Sequence, residues 1–398
     1  MNSLHVTMAH FIDIIYCLII RGEMKMHSYK LINPMACRKL FRKLSNLIGL
    51  LPTFGIVFLL AAPVQAQYMH EGELVLRMGD VSANKFPFIL ARDQGMYAKN
   101  GLNVKPMFSP GSVATINKSG IEVAPENIYD PDDKSIEFTI YIGGSGPMIA
   151  RVMRTADAKP PTERVVLGTT HHVSRWRIFS GPEIKSLEDL KGKRLGFSGV
   201  GAVSHNYWLN FLEHMGWNPY TDVTLVGGTL NVDSLKEGKI DALMGPELHG
   251  TMALMNDFPV LADLGDYGFP VAGSALQVNR KWYEKNPEAA KAFVKTGVEA
   301  IAFMKLNKAE AEKTMIKWYG MKTQEGRDLF YTELLKMDSK PYPPYKGTRM
   351  IMQFYGGWDA RTNFKPEDFY DDSIIKELDE SGYIDSLYPG GVAPRQKP

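Results

Sequence analysis

From residue 74 onward, apolar positions follow two alternating rhythms. Leu74-Val75-Leu76-Arg77-Met78 is a short run of strand type, the loop 79–86 follows, and Phe88 to Lys99 carries helical spacing. That helix stops at Asn100-Gly101, a suitable pair because glycine tolerates the left-handed conformation at a helix end. Leu102 to Met107 is the next strand, so one β-α-β unit is complete by residue 107.

The stretch Thr115 to Glu137 breaks the rhythm. It is polar, holds Pro125 and Pro131, carries the acidic cluster Asp130-Pro131-Asp132-Asp133, and reads as an exposed loop. It lacks the glycine and terminal glutamate of a helix-loop-helix calcium loop. Strand Phe138 to Ile142 then runs into Gly143-Gly144-Ser145-Gly146-Pro147, a helix covers Met148 to Arg154, and a strand covers Arg164 to Leu167. A second series begins at Ser186. It comprises a capped turn at 186–190, strands at 194–197, 223–226 and 240–244, and helices at 206–215 and 232–237 closed by Gly238. Ala272 to Val278 leads out as a strand. The remainder is helical, with Asn286-Pro287-Glu288 opening a helix that puts Phe293, Val294, Gly297, Ile301 and Met304 on one face. Helices at 309–319 and 325–336 follow, then the turn-rich 340–345. Alternating strands and helices predict parallel sheet covered by helices, with 180–265 an inserted second α/β unit.

The first 66 residues differ. Arg38-Lys39-Leu40-Phe41-Arg42-Lys43 is a positive segment, Leu47 to Ala62 an apolar run interrupted by Pro52, and Val64-Gln65-Ala66 has small residues where a signal peptidase reads. This order predicts a secretory leader, residues 1–66, cleaved after Ala66, rather than a retained anchor. A leader this long points to a true start at Met35, with Met24 and Met26 as alternatives.

The leader changes the compositional picture. The 398-residue chain has 46 basic and 44 acidic residues and a net charge of +2. Seven basic and two acidic residues lie in 1–66, which leaves 39 against 42 in 67–398, a net of −3. Nucleic acid and an anionic membrane surface therefore lose their compositional support. Both cysteines, Cys17 and Cys37, are also in the leader. A cleaved product has no disulfide, thiolate nucleophile or cysteine-ligated metal, and no lipid-anchoring cysteine.

Candidate chemistry concentrates in three turns between a strand and a helix: Ser82 to Phe86, Gly143 to Gly146, and Gly199 to His205. Free amides and helix dipoles at such turns point to where ligands bind in open α/β sheets. The third turn resembles a dinucleotide fingerprint, but Ser204 replaces its third glycine and Val226 leads into Gly227-Gly228 where an acid is expected, so no dinucleotide cofactor is expected. The contexts of Ser145 and Ser198 lack the last glycine of a nucleophile elbow. His171-His172 cannot share one face of a strand, no histidine pair has helical ligand spacing, and no metal site is expected. Glu247, after a strand and Pro246, would meet a cationic or N–H-bearing ligand if it faces a cleft, and otherwise caps its helix in water.

Three segments carry a family resemblance. Phe88-Ile-Leu-Ala-Arg-Asp-Gln-Gly-Met-Tyr97-Ala-Lys-Asn-Gly-Leu-Asn-Val104, Ser186-Leu-Glu-Asp-Leu-Lys-Gly-Lys-Arg-Leu-Gly196 and Ser234-Leu-Lys-Glu-Gly-Lys-Ile-Asp-Ala-Leu243 resemble, in order, periplasmic substrate-binding proteins for sulfonates, taurine, nitrate and thiamine precursors. The resemblance spans about residues 74–320. It implies a two-lobed α/β periplasmic-binding-protein fold with hinge crossings near 179–182 and 264–272. Lobe 1 would be 67–179 and 269–398, and lobe 2 would be 180–268. By position, the pocket would be lined by Asn84, Phe86, Gly144, Ser145, Ser204, His205 and Glu247, with Trp176 stacking on a planar ligand. The resemblance further implies a monomeric periplasmic carrier without cofactor or catalysis, delivering a small organic solute to the permease of an ABC importer. Two departures stand out, the longer 115–137 loop and the unaligned C-terminal part with Pro341 to Tyr345 and Tyr355-Gly356-Gly357-Trp358. Two alternatives remain open. One is an enzyme like the thiamine-precursor pyrimidine synthase, whose cysteine-rich iron motif has no counterpart in 67–398; the other is a periplasmic sensor without transport.

Overall fold

The structure, a computed structural model, describes residues 69–392 apart from 79–81, 119–122, 131, 134–137, 156–157, 173, 273 and 355–362. The expected leader and its cleavage point lie outside the described residues, as does the segment 355–358.

Strand β1 (Glu73–Met78) is followed by helices α1 (Phe86–Asp93) and α2 (Met96–Lys99), β2 (Asn103–Phe108) and α3 (Pro110–Lys118). The single helix expected over 88–99 is thus two. Gly95 takes φ +65 between them, and its left-handed backbone breaks the ladder. Part of the expected loop 115–137 is the end of α3, with a short 3-10 turn at Pro125–Asn127 beyond it. Then come β3 (Ile140–Gly144), α4 (Ser145–Met153), β4 (Arg164–Thr169), β5 (Arg177–Ser180), β6 (Arg194–Phe197), α5 (Val203–His214), β7 (Thr224–Gly227), α6 (Val232–Lys236), β8 (Ala242–Gly245), α7 (Glu247–Leu254), β9 (Val260–Asp263) and β10 (Ser274–Asn279). The helical remainder is α8 (Arg280–Lys285), α9 (Pro287–Leu306), α10 (Lys308–Tyr319), α11 (Gln324–Leu335), α12 (Tyr345–Phe354), α13 (Ser373–Glu380) and α14 (Tyr383–Ser386).

Two five-stranded sheets result, ordered β2-β1-β3-β10-β4 and β7-β6-β8-β5-β9. Each is the centre of one lobe, and the second is built wholly from residues 177–263. The expectation of parallel sheet is corrected at two strands. β10 runs antiparallel to β3 and β4, and β5 runs antiparallel to β8 and β9. Both carry the chain across from one lobe to the other, so neither is fed by the right-handed helical crossover that makes neighbours parallel. β5 lies in a segment where no strand was expected.

The crossings run side by side. Leu264 N–H donates to the Trp176 carbonyl at 2.8 Å, Ser174 N–H to Phe269 at 3.0 Å and Val271 N–H to His172 at 3.1 Å. The largest core cluster lies under the first sheet, where Phe88 and Tyr97 stack on Phe293 of α9 with centroids 6.0 and 5.3 Å away. The second sheet has its own core around Trp208, Phe211 and Ile178.

Candidate functional site

The end of β3 meets the start of α5. Gly144 pairs with Ser274 in the ladder, and buried Gln277 donates from Nε2 to the Gly143 and Gly144 carbonyls, both at 3.2 Å. A Cβ added to Gly144 would stand 3.0 Å from Val203 Cγ2, and one on Gly146 would stand 3.6 Å from Asn206 Nδ2. The turn entering α4 in one lobe therefore lies against the first turn of α5 in the other. A Cβ at 144 would push the Val203 methyl aside by a few tenths of an ångström, whereas one at 146 would make ordinary contact with Asn206.

On the second lobe, Ser204 is buried and its hydroxyl accepts from Ser198 N–H at 3.0 Å while pairing with Ser198 Oγ at 2.8 Å. It ties the turn 198–202 onto α5. His205 Nδ1 accepts from Gly201 N–H at 3.3 Å, and its ring lies 4.9 Å from that of Phe197. Burial, then the Arg154 charge, lowers the His205 pKa below the ordinary imidazole value, so the ring is neutral at pH 7.

On the first lobe, Asn84 is buried, and its Oδ1 accepts the Thr170 hydroxyl at 2.8 Å. Thr170 Oγ1 lies 3.0 Å from His171 Nδ1. Because the threonine proton is spent on Asn84, Nδ1 is the protonated ring nitrogen and donates. Burial pushes His171 down to about 4; Asp338 opposes this, while Arg175, His172 and Lys305 reinforce it. His172 pairs instead with Asp338, Nδ1 to Oδ2 at 2.6 Å, so the adjacent histidines serve different partners. Among the described residues no group of three or more His, Cys, Asp or Glu could hold a metal ion.

The candidates from sequence do not all gather. Asn84, Gly144 and Ser145 sit at strand ends of the first sheet, and Ser204 and His205 at the β6 end of the second. Trp176, on the first crossing, meets Tyr207 of α5 edge-on at 4.6 Å. Glu247 opens α7 directly after Pro246. Phe86 is a correction. It has no exposed surface and packs against Tyr319 and Phe330 at 5.6 and 6.0 Å, so its ring belongs to the core and not to a cleft wall. It directly follows the Ser82–Lys85 turn, where helix periodicity turns it inward. Sequence reasoning passed over Thr170 and Gln277, which touch the site residues through pairings 86 and more than 130 positions apart.

Beside this junction lies a cleft of about 560 Å³, between Arg151, Arg154 and Thr155 on one side and the turn 198–202 on the other.

Residues 149–311 match the family described as NMT1/THI5 like. No curated protein matches the chain in sequence. Among solved structures, the periplasmic nitrate-binding protein NrtA from Synechocystis PCC 6803 is similar over 80% of this chain and 91% of its own, at 15% identity and a TM-score of 0.59. The periplasmic aliphatic sulphonate binding protein SsuA from Escherichia coli is similar over 67% and 84%, at 19% identity and a TM-score of 0.51. The desulfurization enzyme DSZB is similar over 78% and 99%, at 14% identity and a TM-score of 0.53. The chain thus has the two-lobed periplasmic-binding-protein fold, with an NMT1/THI5-like region running from α4 into α10.

Proposed function

We propose that the protein is the solute-binding component of an ABC-type importer. It captures a small organic solute, a sulfonate, carboxylate or pyrimidine-like compound, between two lobes that close on the ribbon of paired crossings. The lobes are 67–176 with 269–398, and 177–268; the boundary expected at 179/180 moves because β5 pairs with β8 and β9 in the second sheet. The leader directs export to the periplasm and is cut after Ala66, and the product acts as a monomer that docks on a permease, without catalysis, cofactor or metal.

The observation that carries this reading is the junction of the β3–α4 and β6–α5 turns, one from each lobe, flanked by neutral hydrogen-bonding groups that are buried apart from the half-buried His205. Asn84, Thr170 and Ser145 lie on one side and Ser204 and His205 on the other, with Trp176 beside the crossing; Glu247, the first residue of α7, is proposed as a further ligand contact. A solute held there would be desolvated and bound by neutral donors and helix N-termini, and its release would require reopening. The family match, and the fold shared with nitrate- and sulphonate-binding proteins, support the same conclusion.

Thermal melts against a panel of sulfonates, carboxylates and thiamine-precursor pyrimidines test it. A solute at 100 times its Kd stabilises by about 2.7 kcal/mol. No shift across the panel, or turnover of a bound compound such as the similarly folded DSZB would perform, overturns the proposal.

A further inference from the structure

The chain from α11 to α12 is anchored on the first lobe and lies across both crossings. Lys305 Nζ of α9 donates to Ser339 Oγ at 2.9 Å, Lys340 Nζ meets Asp379 of α13 and Asp385 of α14 at 2.7 and 3.0 Å, and the Tyr342 hydroxyl donates to Asp379 at 2.8 Å. From these anchors the segment reaches the end of β4 and the first crossing. Thr169 N–H donates to the Pro341 carbonyl and Asp338 N–H to the Thr170 carbonyl, both at 2.9 Å, and His172 Nδ1 donates to Asp338 Oδ2 at 2.6 Å. Gly347 of α12 lies on Val271 and Ala272 of the second crossing with no room for a Cβ.

Both flanking helices continue onto the second lobe. In α11, the Glu333 carboxylate is buried and meets the Arg177 guanidinium of β5 at 2.5 Å. The side chain of Met255, directly after α7, covers Gly326 of α11 so closely that a Cβ there would stand 3.0 Å from its sulfur. In α12, Met350 Sδ accepts from Asn210 Nδ2 of α5 at 2.8 Å. Helices of lobe 1 thus touch lobe 2 on both α7 and α5, and the lobes cannot rotate about the crossings without sliding or parting these contacts. Arg177–Glu333 is the contact that resists parting most, because separation strands two largely buried charges. The carboxylate has little in reserve. Arg177 and Lys336 both approach Oε1, Lys336 sits on the same helix, and Oε2 has no hydrogen-bond partner among the described residues.

We propose that α11, the segment 336–344 and α12 form a strap, carried by lobe 1, that fastens lobe 2 in this orientation, with Arg177–Glu333 as its latch. How far the solute-free lobes open is then decided by the strap and not by the crossings alone. The inference deepens the solute-binding reading and rests on its two moving lobes, but on no particular solute.

Inter-lobe distances in the solute-free chain test it. Spin labels are placed through Lys236→Cys on α6 and Glu288→Cys on α9, both exposed, in the full chain carrying Cys17→Ser and Cys37→Ser. The labelled chain is compared with and without Glu333→Gln/Asp338→Asn, and with Asp241→Asn, which loses an ion pair to Arg194 inside lobe 2, as control. One narrow distance that splits or broadens in the double variant and stays narrow in the control supports the strap. An unchanged distribution in the double variant, or an equal change in the control, overturns it. Amide exchange of the unsubstituted chain gives a second reading that does not depend on a variant folding. Thr169 and Asp338 amides protected like those of the β4–β10 ladder support the fastening, and exchange as fast as in an exposed loop overturns it. A solute panel without a hit removes the solute-binding reading and leaves both measurements decisive, whereas a hit with unchanged distances removes only the strap.

Discussion

Gly347 is the most sensitive position at the crossing between the lobes. It lies in the first turn of α12, and a Cβ built on it would stand 2.0 Å from the carbonyl carbon of Val271, 2.2 Å from its oxygen and 2.3 Å from Ala272 N. Ordinary contact begins at 3.4 Å, so in Gly347→Ala the helix must retreat by about 1.4 Å. The obstructing atoms are backbone and cannot rotate away. Retreat would pull buried Ile351 and Met352 from the cluster they share with Met148, Ile149 and Phe369. Overpacking of this kind costs about 1–3 kcal/mol and sometimes more. The upper end applies here, offset by about 1 kcal/mol from alanine's helix preference, so the net expectation is a loss of roughly 2 kcal/mol. At about 2 °C per kcal/mol for a chain of this size, Tm falls by roughly 4 °C. Scanning calorimetry reads this directly, with Gly143→Ala as control because its Cβ meets nothing within 4 Å. A Gly347→Ala protein that melts with or above wild type refutes the close approach of α12 to the crossing.

Three further outcomes are expected. Phe86→Ala should lose about 3–5 kcal/mol as a core deletion, measured by urea unfolding; a loss below 1 kcal/mol would return Phe86 to the cleft wall. His171, folded near 4 against an ordinary 6.5, stays neutral while the unfolded chain takes up a proton. Its contribution is complete above pH 6.5 and falls by up to about 1.4 kcal/mol per pH unit toward pH 4. His171→Gln should flatten the melting profile over that interval, and an unchanged slope would contradict the buried neutral ring. Arg177 of β5 contacts Glu333 of α11 at 2.5 Å and Asp263 at 3.0 Å. Because Arg177 is only partly buried, Glu333→Ala should cost about 2 kcal/mol, below the 3–5 of a fully buried pair. A double-mutant cycle with Arg177→Ala should then show coupling of at least 0.5 kcal/mol; strict additivity would mean the pair holds nothing.

The sequence by itself determined the alternation of strands and helices, because short apolar runs, helical spacing, the stop at Gly101 and the Pro287 start are local preferences that neighbours reinforce. It also located the β3–α4 and β6–α5 turns, since glycine and serine between a strand and a helix are a local signature. Strand partners and their sense were decided only by the tertiary structure: β5 and β10 became antiparallel because each crosses between lobes, a relation between distant segments that no window of sequence contains. Side-chain facing was decided there too. Phe86 and Asn84 lie two residues apart in one turn, yet the ring is drawn into the core by Tyr319 and Phe330 while the amide bonds Thr170, 86 positions away. Burial and hydrogen-bond pairing depend on what the folded chain brings alongside, so the turns were legible from sequence and the site built on them was not.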